Sequence, residues 1–171
     1  MFRSIISFAG ALLVLASVNC AAEELKLGAE LPAVTVLDEN GAEVNLGDYA
    51  DKPYLLVYFY PKANTGGCTK QGCSLRDAYT ELTAMGVTVI GVSTDSPEAQ
   101  KSFKDKNHFP FTLLADQKAE VAGAFGVPMM GNFTSRQAYL FANGKLVWLD
   151  KKASTQKQAD DVKAAISELS S

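Results

Sequence analysis

Two cysteines five positions apart, Cys68 and Cys73, follow the run Pro61-Lys62-Ala63-Asn64-Thr65-Gly66-Gly67. The stretch comes after an apolar, β-branched and aromatic segment, Tyr54 to Tyr60, and before residues with helical apolar spacing. It therefore stands where a strand hands over to a helix. Free N–H groups and the helix dipole at such a junction favour a thiolate and bind an anion. Lys62 and Lys70 add positive charge nearby in the sequence. Gly66 and Gly67 let the backbone approach a small ligand closely, and Thr65 supplies a hydroxyl that both donates and accepts. Pro61 fixes the turn and shields one side of the thiol. The chemistry this suggests is attack by an activated thiol, completed by a second thiol.

The spacing adds a constraint. In a regular helix, residues five apart lie ~7.5 Å apart along the axis and ~140° around it, so their Cα atoms are ~8.6 Å apart. A disulfide needs less than ~7 Å. A Cys68–Cys73 bond cannot form while both residues sit in an intact helix. Either Cys68 precedes the helix, or the first turn unwinds to make the bond. This argues for thiols that meet only after reaction rather than for a permanent staple.

The elements that must position this pair are legible from local signals. Val34 to Leu37 and Val44 to Leu46 flank Asp38-Glu39-Asn40-Gly41, and Asn-Gly marks a hairpin. Tyr54 to Tyr60 reads as a buried strand stopped by Pro61. Leu75, Ala78, Tyr79 and Leu82 recur at helical spacing and predict a helix over about Thr69 to Met85, with Gly86 as its stop. Val87 to Ser93 is a second buried strand. Ser96-Pro97-Glu98 is a helix start with cap, proline and acid in order. Phe111 to Ala115 is a third strand, and Asp116 caps a short helix through Phe125. Asn143-Gly144 joins Ala138–Ala142 to Lys145–Leu149 as a second hairpin. Ala159, Val162, Ala165, Ile166 and Leu169 mark a closing amphipathic helix. The order hairpin, β-α-β-α-β-α, hairpin, helix implies an α/β protein: a mixed central sheet with helices on both faces, in the thioredoxin-like arrangement.

A formal net charge of −3 points to neither a nucleic-acid face nor an anionic-membrane surface. The N-terminus reads differently from the rest. Arg3, the apolar run Ile5 to Val18 and the small residues Cys20-Ala21-Ala22 have the layout of a secretory signal peptide over residues 1–22. Residues 23–171 would then form one domain, and the expected destination is a bacterial periplasm. Cys20 sits where a lipidated cysteine would, but Ser17-Val18-Asn19 does not resemble a lipoprotein box. Stable membrane association is expected only if Cys20 carries a lipid. With Cys20 removed, the mature chain holds only Cys68 and Cys73, which in an oxidising compartment are a staple or a redox centre.

Pro61-x-x-x-Thr65-x-x-Cys68 resembles the active-site pattern of peroxiredoxins. Cys73 is similar to the resolving cysteine of the peroxiredoxin Q / bacterioferritin comigratory protein subfamily. The resemblance runs on through Tyr58-Phe59-Tyr60-Pro61-Lys62, Ser74-Leu75-Arg76-Asp77, Gly91-Val92-Ser93-Thr94-Asp95 and Phe111-Thr112-Leu113-Leu114-Ala115-Asp116, and covers about Leu27 to the C-terminus. It implies a thiol-dependent peroxidase acting on hydrogen peroxide and organic hydroperoxides. Cys68 would be the peroxidatic cysteine, with Thr65 and the Cys68 N–H orienting the peroxide. Arg136, just before the Ala138–Ala142 strand, matches the family's active-site arginine. Cys73 would close a Cys68–Cys73 disulfide, and a thioredoxin-like or other dithiol protein would reduce it. No cofactor or metal is implied. An internal resolving cysteine removes the chemical need for a partner subunit, so a monomer or weak dimer is expected.

One position departs from the pattern. Many relatives read Thr-Pro-Gly-Cys where this chain has Thr65-Gly66-Gly67-Cys68, so a looser loop is expected here. The competing reading is a thioredoxin-like thiol–disulfide oxidoreductase. Those proteins usually carry Cys-x-x-Cys and a proline opening the later strand, where this chain has Gln137-Ala138. A metal-binding module is a third reading, with two thiolates and the remote His108 as an incomplete ligand set. His108 itself reads as a loop histidine, Met129-Met130 as loop packing and Trp148 as part of the terminal hairpin.

Overall fold

The computed structural model describes residues 24–170. The signal-peptide reading of residues 1–22, and Cys20 with it, lies outside the described residues.

Seven strands form one mixed sheet. They are β1 (Thr35–Asp38), β2 (Glu43–Asn45), β3 (Tyr54–Phe59), β4 (Val87–Ser93), β5 (Thr112–Ala115), β8 (Gln137–Ala142) and β9 (Lys145–Asp150), in spatial order β2-β1-β5-β4-β3-β8-β9. β3, β4 and β5 run parallel, while β8 is antiparallel to β3 and to β9. A separate two-stranded hairpin joins β6 (Met129–Met130) to β7 (Phe133–Thr134). The helices are α1 (Gly66–Asp77), α2 (Tyr79–Ala84), α3 (Pro97–Asn107), α4 (Glu120–Phe125) and α5 (Gln158–Leu169).

Alternation along β3 divides the interior in two. Leu56, Tyr58 and Tyr60 face a core that also holds Leu75 of α1, Leu82 of α2, Phe103 of α3 and Val162 of α5. Leu55, Val57 and Phe59 face the opposite core, with Val121, Ala122 and Phe125 of α4. A strand buried on both faces must be apolar throughout, which is why Tyr54 to Phe59 shows no polar alternation. Helices on both faces of a mixed sheet make this the thioredoxin-like arrangement.

Local signals behave as their chemistry requires. Ser96 caps α3 by accepting from Ala99 N at 3.3 Å, with Pro97 as the first helical residue. Asp116 accepts from Val121 N and Ala122 N at 3.0 and 2.8 Å, holding the start of α4. Burial outweighs those N–H bonds and raises the Asp116 carboxyl above its ordinary value. Asn143 and Gly144 both take positive φ, 47° and 77°, as a tight primed hairpin turn demands.

Three expectations change. The helix over Thr69 to Met85 is two helices, broken at Ala78, whose ψ of 8° lies outside helical geometry. It also begins at Gly66, so Cys68 lies inside α1 rather than before it. Met129 and Met130 are not packed in a loop; they are 39% and 63% exposed on the β6–β7 hairpin.

Candidate active site

β3 ends at Phe59, and Pro61 to Thr65 cross over the sheet edge into α1. β8 pairs antiparallel with β3 in a register that sets Gln137 opposite Phe59. Arg136, one residue before Gln137, is thereby carried to the end of β3 where the crossover begins. Register, rather than sequence proximity, brings Arg136 to the cysteine.

Arg136 Nη2 donates to Cys68 Sγ at 3.4 Å. Cys68 is 2% exposed and sits in the first turn of α1, where the helix N–H groups lack intrahelical partners. The sulfur therefore has a fixed positive charge beside it, in a helix turn whose backbone N–H groups lack intrahelical partners. The second guanidinium nitrogen, Nη1, donates to Gln71 Oε1. Gln71 Nε2 donates in turn to Gln158 Oε1 at 2.8 Å. Cys68, Gln71, Gly72 and Leu75 are the buried residues of α1 and lie on one face of it. Two glycines make the packing possible. A Cβ on Gly67 would stand 3.2 Å from Arg136 Nη2, and one on Gly72 would stand 2.4 Å from Cζ of Phe109.

Thr65 is the residue before α1, with φ −101° and ψ 152°, and its carbonyl accepts from Thr69 N at 2.8 Å. Its hydroxyl donates to Lys62 O at 2.9 Å, so its lone pairs remain for an incoming donor. Pro61 is half-buried directly after Tyr60. The crossover is pinned from β4: Asp95 Oδ2 accepts from Ala63 N and from Ser93 Oγ, both at 2.7 Å. Tyr60 is tied by its hydroxyl to Gln100 Oε1, by its carbonyl to Thr134 Oγ1 at 2.9 Å and by its N–H to Val92 O at 3.1 Å. Lys62 Nζ lies 5.5 Å over the ring of Phe133, a residue of the β6–β7 hairpin.

Cys73 is partly buried, packs against the same core as Cys68, and both thiols are free. Both lie within α1, so helical geometry holds their Cα atoms ~8.6 Å apart, beyond disulfide reach. Of the two arrangements left open by the spacing, the structure takes the one with both cysteines inside the helix, where a bond between them would require α1 to unwind. The Tyr58 hydroxyl is buried nearby without a hydrogen-bond partner among the described residues. Burial above all, and then Tyr60, Cys68 and Cys73, push its phenol well above the usual range, while Arg136 acts in the opposite sense.

Pro61, Thr65, Cys68 and Arg136 thus converge at one end of β3. Gln71, Asp95 and Gln158 escape a reading of the sequence. Gln71 alone carries a signal, being three residues after Cys68 and so on the same helical face.

The AhpC/TSA family profile matches residues 27–149. This chain belongs to the AhpC/TSA family. Among relatives of this AhpC/TSA protein, peroxiredoxin bcp1 of Schizosaccharomyces pombe is 39% identical over 126 residues, covering 72% of this chain and 65% of that protein. Peroxiredoxin Bcp of Escherichia coli is 48% identical over 103 residues, covering 60% of this chain and 65% of that protein. A solved bacterioferritin comigratory protein of Xanthomonas campestris, described for its alkyl peroxide reduction activity, superposes with a TM-score of 0.77 at 27% identity, over 85% of this chain and 100% of that one. The matched stretches span 55% to 66% of the length of the first curated relatives.

Proposed function

We propose that this chain is a thiol-dependent peroxidase that reduces hydrogen peroxide and organic hydroperoxides. The observation that carries the reading is the Arg136 Nη2 bond to the buried Cys68 sulfur, at the start of a helix that also holds Cys73. Relatives named peroxiredoxin Q and Bcp support it.

The Cys68 thiolate attacks the terminal peroxide oxygen. An S–O bond forms, the O–O bond breaks, and the leaving oxygen departs as alcohol or water after taking a proton. Arg136 stabilises the charge that develops on that oxygen. Thr65, whose own proton is committed to Lys62 O, accepts from the peroxide O–H. Cys68 becomes a sulfenic acid. α1 then unwinds, the Cys73 thiol attacks the Cys68 sulfur, and a disulfide and water form. A thioredoxin-like or other dithiol protein supplies two electrons by exchange and restores both thiols.

Residues 1–22 support export, and the reductant then belongs to the same compartment, a bacterial periplasm in this reading. Residues 23–171 form the catalytic domain, active as a monomer or weak dimer. N-terminal sequencing of the secreted protein tests the cut after Ala22.

Peroxide consumption with dithiothreitol tests the chemistry. Cys68→Ser is expected to abolish it. Cys73→Ser is expected to keep dithiothreitol-supported activity and lose turnover with a dithiol protein. Full activity in Cys68→Ser would sink the proposal.

A further inference from the structure

We propose that Gln158 is a positioning residue: it latches the first turns of α1 and so sets how the Cys68 sulfenic acid divides between disulfide and over-oxidation. The inference rests on the peroxidase reading above.

α1 and α5 are tied by two side-chain hydrogen bonds, one on each side of Cys73. On the Cys68 side, Gln71 Nε2 donates to Gln158 Oε1 at 2.8 Å. On the far side, Ala159 N donates to Ser74 Oγ at 3.2 Å. Gln158 and Ala159 are adjacent and open α5, so both ties leave one rigid point. Bringing Cys68 to Cys73 requires the backbone between them to leave helical geometry, and Gln71 lies in that segment. The Gln71–Gln158 bond must break, while the Ser74–Ala159 bond lies beyond the unwound residues and is spared. One tie is a latch and the other an anchor.

The latch is placed to matter. Gln71 and Gln158 are both fully buried, so an amide freed without its partner is left without water. Gln71 also receives the Arg136 guanidinium, so the latch holds together the segment that must move and the cation that serves the folded site. Gln158 Nε2 has no partner among the described residues, so the side-chain oxygen carries the contact to α1. In the folded turn, a sulfenic acid at Cys68 stays near Arg136 and meets a second peroxide. That reaction transfers one more oxygen to sulfur, giving a sulfinic acid and releasing an alcohol or water. In the unwound turn, the same sulfur meets Cys73 and gives the disulfide and water. Strengthening the latch favours the first outcome, and weakening it favours the second.

The test compares reduced wild type with Gln158→Leu, the milder Gln158→Asn and Gln158→Glu. Each is treated with graded hydrogen peroxide without reductant, and intact mass separates disulfide from sulfinic acid. Leu and Asn remove or withdraw the acceptor. They should need about fivefold more peroxide for half over-oxidation, the effect of one hydrogen bond on an equilibrium. Glu gives Gln71 Nε2 a charge-assisted acceptor and should over-oxidise with no more peroxide than wild type needs. Amide exchange of residues 69–72 in the reduced proteins should quicken by the same factor in Leu and Asn but not in Glu. The latch is overturned if all four proteins partition and exchange alike, or if Glu behaves as Leu does. If wild type gives neither disulfide nor sulfinic acid, the peroxidase reading has failed, and the exchange rates alone decide the latch.

Discussion

Arg136 reaches Cys68 across a sequence separation of 68 residues, and the same guanidinium nitrogen that donates to the sulfur lies against the backbone of Gly67. Gly67, having no side chain, leaves the guanidinium room for this close approach. The second nitrogen is held by Gln71, so the planar fork is fixed at both ends. A lysine offers a point charge and cannot make both contacts. Arg136→Ala should lower the second-order rate of Cys68 with peroxide by about a hundredfold, the usual cost of one preorganised donor. Arg136→Lys should fall between the two. Stopped-flow measurement at fixed pH checks this, and an Ala variant within twofold of wild type would remove Arg136 from the mechanism.

Gly67→Ala separates reactivity from stability. The new Cβ would stand 3.2 Å from Arg136 Nη2 and 3.5 Å from Thr155 Cγ2, so the guanidinium must shift by a few tenths of an ångström. Alanine suits a helix better than glycine by about 1 kcal/mol. The variant should be at least as stable as wild type in urea, yet about threefold to tenfold slower with peroxide, a fraction of one donor's usual worth. Equal rates would show that the guanidinium position is not tight.

Gly66→Pro should act in the opposite direction. Nothing lies within 4 Å of a Cβ at Gly66, which is the first residue of α1. Proline is favoured at that position, and Thr65 before it already has the extended backbone that a following proline requires. Restricting the unfolded and locally unwound chain should add about 0.4–1 kcal/mol of stability and raise peroxide reactivity about twofold to fivefold. A lower peroxide rate with raised stability would mean that this looser turn serves the reaction.

Asp95 holds the crossover from below. Its carboxylate takes Ala63 N and Ser93 Oγ at 2.7 Å each, and Ala63 is buried. Asp95→Ala strands the Ala63 N–H away from water and should cost about 1–3 kcal/mol in urea unfolding. Because Pro61 and Thr65 ride on the same crossover, peroxide reactivity should fall with it. Asp95→Asn keeps one acceptor and should recover most of both losses.

Tyr58 offers a stability test beside the cysteines. Its hydroxyl is buried, and it has no hydrogen-bond partner among the described residues. Tyr58→Phe keeps the ring stacked on Tyr60 and edge-on to Phe111, and it removes only the unpaired oxygen. Unfolding should become harder by about 1 kcal/mol, the lower end of the cost of an unmet polar group. A loss of similar size would mean that the hydroxyl is bonded in solution.

Much of the fold was written locally. Asn143-Gly144 can take two consecutive positive φ values, Ser96-Pro97-Glu98 caps a helix, and Val87 to Ser93 is a mostly apolar run that is buried along nearly its whole length. Each signal needs only its own few residues, so each is legible in order along the chain. The Cys68–Cys73 spacing likewise carries its constraint without a fold, because helix pitch is the same everywhere.

What the chain could not announce alone was where α1 begins and what surrounds its first turn. Two glycines are poor helix formers, and propensity places the start after them. The structure begins the helix at Gly66, because Gly67 and Gly72 let α1 close against Arg136 and Phe109. The polar chain Cys68–Arg136–Gln71–Gln158 joins three distant segments through β8 register and α5 packing. A buried glutamine carries no mark of which partner it will meet. That choice belongs to tertiary packing, since a polar group shut away from water must bond to whatever the fold brings within reach.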